Sequence, residues 1–264
     1  METRPARRAL VTIVAALLTS LFLLFILGPV VGLVASGGSR GFATFTSDHE
    51  LRSSLLLTAA TATIATLLGI LGGTPLAYLL ARRAFPGRSV IAALTDLPLV
   101  IPHPVAGIAL LLVLGRGSTV GGALYQAGLR VAGSTTGIAC AMLFVSAPLY
   151  VSAAREAFAR VDVRLESVAR TLGDDAWRAF ARVTLPLSAR GLTAAAVVMW
   201  ARAVSEFGAV VILTYNPKVA SVLSYDRFTS YGLDEALPVA AVLVVFALIP
   251  LVMLRALRVE RRFG

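Results

Sequence analysis

The sequence predicts an all-α membrane protein that crosses the bilayer with six helices. Hydrophobic residues make up 58% of its 264 residues and charged residues only 14%, whereas soluble domains carry about 25% charged residues. The mean hydropathy is correspondingly high, at +0.84. The apolar residues also form long runs separated by short polar segments, which is the pattern of a multi-pass protein of the cell membrane. These observations exclude a soluble globular domain.

Four long runs without internal charges can each cross the membrane. A bilayer core about 30 Å thick requires roughly 20 apolar residues in a helix. The runs predict spans at about 9–35, 53–81, 134–154 and 236–255. The first run follows Arg4, Arg7 and Arg8, as the core of a signal peptide would, but it exceeds the usual core of about 7 to 15 residues. We therefore expect it to remain as a membrane helix.

Two further apolar segments contain charged residues and complete the six spans. They predict one span at 89–115, which contains Asp96, and another at 190–213, which contains Arg202 and Glu206. Composition does not change along the chain in a way that marks a second domain. The sequence therefore predicts a single membrane domain over residues 1–264, with its longest polar interruption at 155–189 between the fourth and fifth spans.

The distribution of basic residues predicts the orientation of these spans. Cytoplasmic loops retain Lys and Arg more than external loops do. Most of the 24 basic residues lie in alternate polar segments, at Arg4, Arg7, Arg8, Arg82, Arg83, Arg88, Arg155, Arg160, Arg164, Arg170, Arg178, Arg182, Arg190, Arg255, Arg258, Arg261 and Arg262. We therefore expect both termini and the 155–189 loop in the cytoplasm. Membrane topology thus accounts for most of the net charge of +10 without a nucleic-acid partner.

The residues needed for several kinds of chemistry are missing from the sequence. The single cysteine, Cys140, cannot form a disulfide framework, and His49 and His103 are too few for a zinc site, so we expect no metal. A phosphate-binding loop requires the pattern G-x-x-x-x-G-K-[ST]. The only lysine, Lys218, lies between Pro217 and Val219, so the chain lacks this loop. We expect neither ATP hydrolysis nor other covalent chemistry, and therefore no enzyme.

The loop at 155–189 is predicted to contain two short helices. Apolar residues recur there at helical spacing, at Leu165, Val168 and Leu172. Gly173 predicts the end of the first helix, and Asp174 and Asp175 predict the cap of a second helix that includes Trp177. A bend is expected at Leu185-Pro186 before the fifth span. Taken alone, this pattern is also typical of a surface helix lying along the membrane.

The amino-acid sequence of this loop resembles the EAA loop of ABC importer permeases. That pattern reads Glu-Ala-Ala, three residues, Gly, nine residues, Ile, one residue, Leu-Pro, and this chain aligns with it at Ser167, Val168, Ala169, Gly173, Val183, Leu185 and Pro186. Ser167 replaces the glutamate, although Glu166 is adjacent. The resemblance implies the type I ABC importer permease fold and a coupling helix that docks on a separate ATPase. The coupling residues it implies are Glu166, Ala169, Leu172, Gly173, Asp174, Trp177, Leu185 and Pro186.

The resemblance extends beyond the loop. Segments 54–89, 96–115, 169–187 and 201–213 are similar to the molybdate/tungstate branch of these permeases, and the sulfate permeases are close relatives. It implies a homodimer in the membrane lipid, two ATPase subunits that bind ATP and Mg²⁺, and an external oxyanion-binding protein. No cofactor is expected in this chain. A sulfate or thiosulfate permease stays an alternative, as does a secondary transporter or intramembrane enzyme that works without an ATPase.

The charged and proline residues inside the spans are candidates for the translocation path, namely Pro102, His103, Arg202 and Glu206. Arg202 and Glu206 are four residues apart, so on one helix they share a face and can pair. This pair either holds the spans in register or lets Arg202 present positive potential to a passing oxyanion. Prolines at 98, 102 and 104 predict a kink or a break in the third span. A helix restarting near Pro104 would direct free N–H groups towards an anion; the alternative is a plain structural kink, with His103 packed or hydrogen-bonded.

Overall fold

The chain folds into α-helices and one π-helical turn in a computed structural model that describes residues 3–259. The helices are α1 (Thr3–Ser47), α2 (His49–Arg82), α3 (Arg88–Val100), α4 (His103–Leu114), α5 (Thr119–Gln126), α6 (Thr135–Ala159), α7 (Val163–Thr171), α8 (Ala176–Ala179), α9 (Leu185–Val204), α10 (Gly208–Leu213), α11 (Ala220–Tyr231) and α12 (Leu233–Val259). The π-helical turn, Phe180–Thr184, joins α8 to α9. The predicted all-α class is confirmed. Arg261 and Arg262, which contribute to the predicted orientation, lie outside the described residues.

The long apolar helices account for five to six membrane crossings. Five segments are long and apolar enough to span a bilayer, at Val11–Gly38, His49–Arg82, Thr135–Ala159, Ala176–Val204 and Leu233–Pro250. The helices α3 and α4 are long and apolar enough only as a pair, which is bent by 113° and counts as a sixth crossing if it forms one broken span. This break lies at Ile101 and Pro102, within the proline-rich segment that predicts it. The structure thus supports five to six spans, and the predicted break in the third apolar segment is confirmed.

Two local predictions are wrong. The predicted span at 190–213 is not one helix, because α9 ends at Val204 and α10 begins at Gly208. Glu206 lies in the break between them, where its side chain accepts a hydrogen bond from the Ala209 amide. The predicted bend at Leu185-Pro186 is also absent, because Pro186 occupies the first turn of α9. The helical conformation continues from α8 through the π-helical turn into α9, so Pro186 follows this turn without a break in the helix.

The core lies where α6 packs against α2 and α9. Buried α6 residues such as Met142 and Tyr150 form its centre. Glycines on α2 allow the helices to approach closely: a methyl group at Gly69 would lie 2.2 Å from Cε of Met199, and one at Gly73 would lie 2.9 Å from Cδ1 of Tyr150. Small residues commonly permit such packing between membrane helices. This core holds α2, α6 and α9 as a fixed frame for the broken spans.

Ion pairs tie together segments at each end of the bundle. At the end predicted to be cytoplasmic, Arg82 at the end of α2 pairs with Glu166 on α7. At the other end, Arg227 on α11 pairs with Asp48, which caps α2. Each pair joins segments that the distribution of basic residues places on the same side of the membrane. The contacts agree with the predicted alternation of the spans.

Candidate translocation and coupling sites

The two broken spans meet inside the bundle. Helix α4 begins at His103 immediately after Pro102, and α10 begins two residues after Glu206. Glycines allow these helix starts to touch: a methyl group at Gly208 would lie 2.8 Å from Cβ of His103, and one at Gly107 would lie 2.8 Å from the carbonyl oxygen of Ala209. The structure thus brings residues of the third and fifth spans together at their breaks.

Arg202, Glu206 and His103 form one cluster at this meeting point. Nη2 of Arg202 lies 2.7 Å from Oε2 of Glu206. The same nitrogen lies 3.0 Å and 2.9 Å from Nδ1 and Nε2 of His103. Oε1 of Glu206 accepts a hydrogen bond of 2.8 Å from the Ala209 amide. Arg202 and Glu206 therefore pair as the sequence predicts. Arg202 lies in the last turn of α9 and Glu206 lies after its end, so the two residues do not share the face of one uninterrupted helix.

The members of this cluster differ in exposure. The Glu206 side chain is only 1% exposed, whereas the Arg202 side chain is 22% exposed. His103 is partly exposed and Pro102 is exposed beside it. Glu206 is therefore a buried anchor that caps α10 and holds Arg202. Arg202 and His103 are the members of the cluster with partly exposed side chains.

The loop predicted to dock on an ATPase presents an apolar outer surface. Leu172 is 83% exposed and Trp177 is 73% exposed. Gly173 lies between α7 and α8 with φ +103°, a conformation that favours glycine. The Asp175 side chain caps α8 by accepting a hydrogen bond of 2.8 Å from the Arg178 amide. The predicted helix pair, its glycine break and its aspartate cap are confirmed.

The other predicted coupling residues have different surroundings. Asp174 turns back to form an ion pair of 2.9 Å with Arg182 on the π-helical turn. Ala169 is half-buried, and its carbonyl oxygen accepts a hydrogen bond from the Asp174 amide. Leu185 and Pro186 are exposed in the first turn of α9. The predicted set therefore divides into an exposed surface and residues that shape the turn behind it.

Glu166 is directed into the protein, towards residues that the sequence analysis did not identify. Its carboxylate contacts Tyr78 and Arg82 of α2 and Thr184 of the π-helical turn. Tyr78 and Arg82 are four residues apart, which places them on one face of α2. That spacing next to a predicted cytoplasmic loop is the signal in the sequence that points to this contact.

The segments predicted to be external contain a second polar cluster. Nζ of Lys218 lies 2.6 Å from Oδ2 of Asp226, and the Tyr215 hydroxyl donates to the other carboxylate oxygen. The hydrogen bond from Lys218 lowers the pKa of Asp226, and the bond from Tyr215 adds to this effect. The same contact with Asp226 raises the pKa of Lys218. Lys218 and Asp226 thus compensate each other's charge within this chain.

The described residues contain no group of three or more His, Cys, Asp or Glu side chains that could hold a metal ion. Cys140 is a free, half-buried cysteine.

Comparison with known proteins defines the class of this membrane protein. A family model described as the binding-protein-dependent transport system inner membrane component matches residues 73–263. The match covers both broken spans and the whole loop between the fourth and fifth spans. The chain therefore belongs to this family of multi-pass transport permease subunits.

Two similar proteins have names that specify what they transport. The chain is 44% identical over 207 residues to a molybdate/tungstate transport system permease protein of Thermococcus kodakarensis, covering 78% of this chain and 77% of the relative. It is 39% identical over 246 residues to a probable molybdenum ABC transporter permease protein of Haloferax volcanii, covering 91% and 88%. These names agree with the resemblance found in the sequence.

A solved structure independently supports the fold. The crystal structure of a bacterial alginate ABC transporter, in complex with its alginate pentasaccharide-bound periplasmic protein, aligns with a TM-score of 0.72. The alignment covers 95% of this chain and 94% of that chain at 19% sequence identity. The predicted type I ABC importer permease fold is therefore confirmed.

Proposed function

We propose that this chain is the membrane-spanning subunit of an ATP-driven importer that carries molybdate or tungstate into the cell. The observation that carries the proposal is the 44% identity, over 78% of this chain, to a permease protein named for molybdate and tungstate transport. The chain supplies the path and the moving helices, and it performs no covalent chemistry. Two copies form the channel across the membrane lipid, and an external oxyanion-binding protein delivers the anion.

ATP hydrolysis belongs to two partner ATPase subunits, which bind ATP and Mg²⁺. Each ATPase docks on the exposed surface formed by Leu172, Gly173 and Trp177. Exposed apolar side chains of this size form the centres of many protein interfaces. The aspartate cap on α8 and the Asp174–Arg182 ion pair stiffen the turn behind this surface. A stiff turn passes on a displacement that a flexible loop would absorb.

The anion passes the cluster at the meeting point of the broken spans. Molybdate and tungstate are dianions, so a positive charge within the membrane lowers the cost of their passage. Arg202 supplies this charge at a partly exposed position, while Glu206 holds it in place from the buried side. His103 and Pro102 lie at the start of α4, whose first turn has no side-chain cap. Its amide groups provide further hydrogen-bond donors for an oxyanion.

Reconstitution into liposomes tests this function. The permease is assembled with its partner ATPase and its binding protein, and uptake of radiolabelled molybdate, tungstate and sulfate is measured with ATP inside the vesicles. We expect molybdate or tungstate uptake that requires ATP, with sulfate taken up poorly. Preferred uptake of sulfate would assign the chain to the sulfate permeases. Uptake by the permease without an ATPase would instead identify a secondary transporter.

The stoichiometry is tested on the same purified complex. Native mass spectrometry is expected to give two permeases, two ATPases and one binding protein. A complex containing a single permease would contradict the homodimer.

A further inference from the structure

One partly buried carboxylate, that of Glu166, joins three elements at the end of the bundle that is predicted to face the cytoplasm. Oε1 of Glu166 lies 3.2 Å from Nε of Arg82, and it also accepts a hydrogen bond from the Thr184 hydroxyl. Oε2 accepts a hydrogen bond of 3.1 Å from the Tyr78 hydroxyl. The Glu166 side chain is 14% exposed and that of Arg82 is 6% exposed. Glu166 thus links α7 to the end of α2 and to the π-helical turn before α9.

Packing alone does not hold α7 in place. None of the residues in α7 is buried. The other side-chain hydrogen bonds of α7 residues, formed by Ser167 and Thr171, end on backbone carbonyls of the same helix. Among the described residues, the side chain of Glu166 therefore makes the polar contacts that fix α7 to a membrane span. A link of this kind determines how α7 moves relative to that span.

The partners of Glu166 are themselves held firmly. The Tyr78 ring packs edge-on against Phe158 at 5.5 Å and against Phe180 at 4.7 Å. These aromatic rings come from α2, α6 and the π-helical turn, so they fix the position of the Tyr78 hydroxyl. Thr184 is fully buried at the last position of that turn. The Tyr78 and Thr184 hydroxyls therefore hold the carboxylate at fixed positions on α2 and on the π-helical turn.

Arg82 depends on Glu166 for its charge compensation. Within residues 3–259, Glu166 is the only acidic partner of Arg82 in an ion pair, and Nε and Nη2 of Arg82 are buried without a hydrogen-bond acceptor. A buried cation that loses its counter-ion is strongly unfavourable. A movement of α7 that drew Glu166 away would therefore pull Arg82 with it. The ion pair therefore couples a movement of α7 to the end of α2, and a movement of α2 to α7.

We propose that Glu166 is the positioning residue that makes the coupling loop move as one body with the second and fifth spans. The ATPase displaces the exposed surface around Leu172 and Trp177, and Glu166 passes this displacement to α2 through Arg82 and Tyr78. Thr184 passes this displacement to α9, whose last turn contains Arg202. This inference rests on the proposed function, and it replaces the expectation that Glu166 touches the ATPase.

A matched pair of variants tests the role. Glu166→Gln keeps the size and one carbonyl acceptor but removes the charge that Arg82 requires. Glu156→Gln is the control, because Glu156 is exposed on α6 and pairs with Arg160, the residue that directly follows this helix; an exposed pair of this kind contributes little. For each complex in liposomes we measure recovery of the ATPase by pull-down, the rate of ATP hydrolysis and the molybdate taken up per ATP.

For Glu166→Gln we expect ATPase recovery and ATP hydrolysis at wild-type levels. Molybdate uptake per ATP is expected to fall by about fivefold or more, the lower end of typical coupling effects. Glu156→Gln should match the wild type in all three measurements. Loss of ATPase recovery in Glu166→Gln would overturn the proposal and make Glu166 a docking residue. Unchanged uptake per ATP would overturn it as well.

Two further measurements separate coupling from folding. The double variant Arg82→Gln/Glu166→Gln removes the unpaired buried cation, so its thermal midpoint should recover towards the wild type while uptake per ATP stays low. Recovery of both quantities together would reduce Glu166 to a structural residue and overturn the proposal. Thr184→Val, which removes only the hydroxyl donor, should lower uptake per ATP in the same direction. Absence of ATP-dependent uptake in the wild type would instead contradict the proposed function itself.

Discussion

The Arg202–Glu206 ion pair predicts an asymmetry between two variants that each replace one charged member with neutral glutamine. Arg202→Gln leaves the Glu206 carboxylate without its cation, and this side chain is 1% exposed. Glu206→Gln leaves the Arg202 guanidinium without its anion, but this side chain is 22% exposed. The glutamine amide oxygen can also keep the hydrogen bond from the Ala209 amide. We therefore expect Arg202→Gln to be the more destabilising variant.

The expected magnitudes follow from burial. Removing one partner of a buried ion pair typically costs about 3–5 kcal/mol, and we assign this range to Arg202→Gln. Losing a hydrogen bond to a charged group costs about 1.5–3 kcal/mol, which is the range for Glu206→Gln. The double variant removes both charges, so its cost should be smaller than the sum of the single costs by about 1–3 kcal/mol.

The free energy of unfolding is measured by reversible denaturation in mixed micelles. All variants are measured under the same buffer conditions. Equal destabilisation by the two single variants, or the reverse order, would refute the argument from burial. Additive costs in the double variant would show that the two side chains do not interact.

The double variant also distinguishes the two roles of Arg202. Because it lacks the buried unpaired charge, its uptake of molybdate per folded molecule reports the effect of charge in the path without the effect of misfolding. A strong loss of uptake would support Arg202 as part of the translocation path. Wild-type uptake would leave the pair as an element that holds the breaks of the two spans together.

Three further predictions concern helix packing, the coupling turn and pH. Gly107→Ala should destabilise the protein by about 1–3 kcal/mol, because its methyl group would lie 2.8 Å from the Ala209 carbonyl oxygen; Gly28→Ala, with open space around it, is the control in the same unfolding assay. Gly173→Asp should leave the permease folded but abolish recovery of the ATPase by pull-down, because φ +103° strains any side chain and the charge enters the docking surface; full recovery would remove that surface from the coupling site. The lowered pKa of Asp226 means that its carboxylate stabilises the fold above the ordinary pKa of about 4 and loses this effect as the pH falls through the lower folded value. The difference in unfolding free energy between the wild type and Asp226→Asn should therefore be largest near neutral pH and shrink below about pH 4, and a constant difference would contradict the assigned cause.

The parts of the fold that depend on local sequence could be predicted from it. Long apolar runs define the spans because a helix in a bilayer must be both long and apolar. The break of the third span follows from prolines, which lack an amide hydrogen. Gly173 and Asp175 mark the turn between α7 and α8 through backbone conformation and capping. Each of these features is determined within a few residues.

The end of α9 could not be predicted in the same way. The apolar run at 190–213 continues across the break, and Arg202 and Glu206 have the spacing of an uninterrupted helix. The break depends on contacts between segments distant in sequence. The Glu206 side chain accepts a hydrogen bond from the Ala209 amide at the start of α10. The backbone carbonyl oxygen of Glu206 accepts a hydrogen bond of 2.7 Å from the Ser221 hydroxyl, and Gly208 packs against His103. These contacts arise only when the third and fifth spans and the segment after α10 come together.

The replacement of the EAA-pattern glutamate by Ser167 is also explained by contacts between segments distant in sequence. The strict spacing places Ser167 where the family pattern has glutamate, and in the structure Ser167 is exposed while Glu166 is half-buried. A shift of one residue turns a side chain by about 100° around a helix, which is enough to exchange the outer face of α7 for the face towards α2. An acid at 167 would point away from Arg82, whereas an acid at 166 compensates its buried charge. The one-residue offset therefore determines whether the glutamate lies on the exposed face of α7 or on the face that contacts α2.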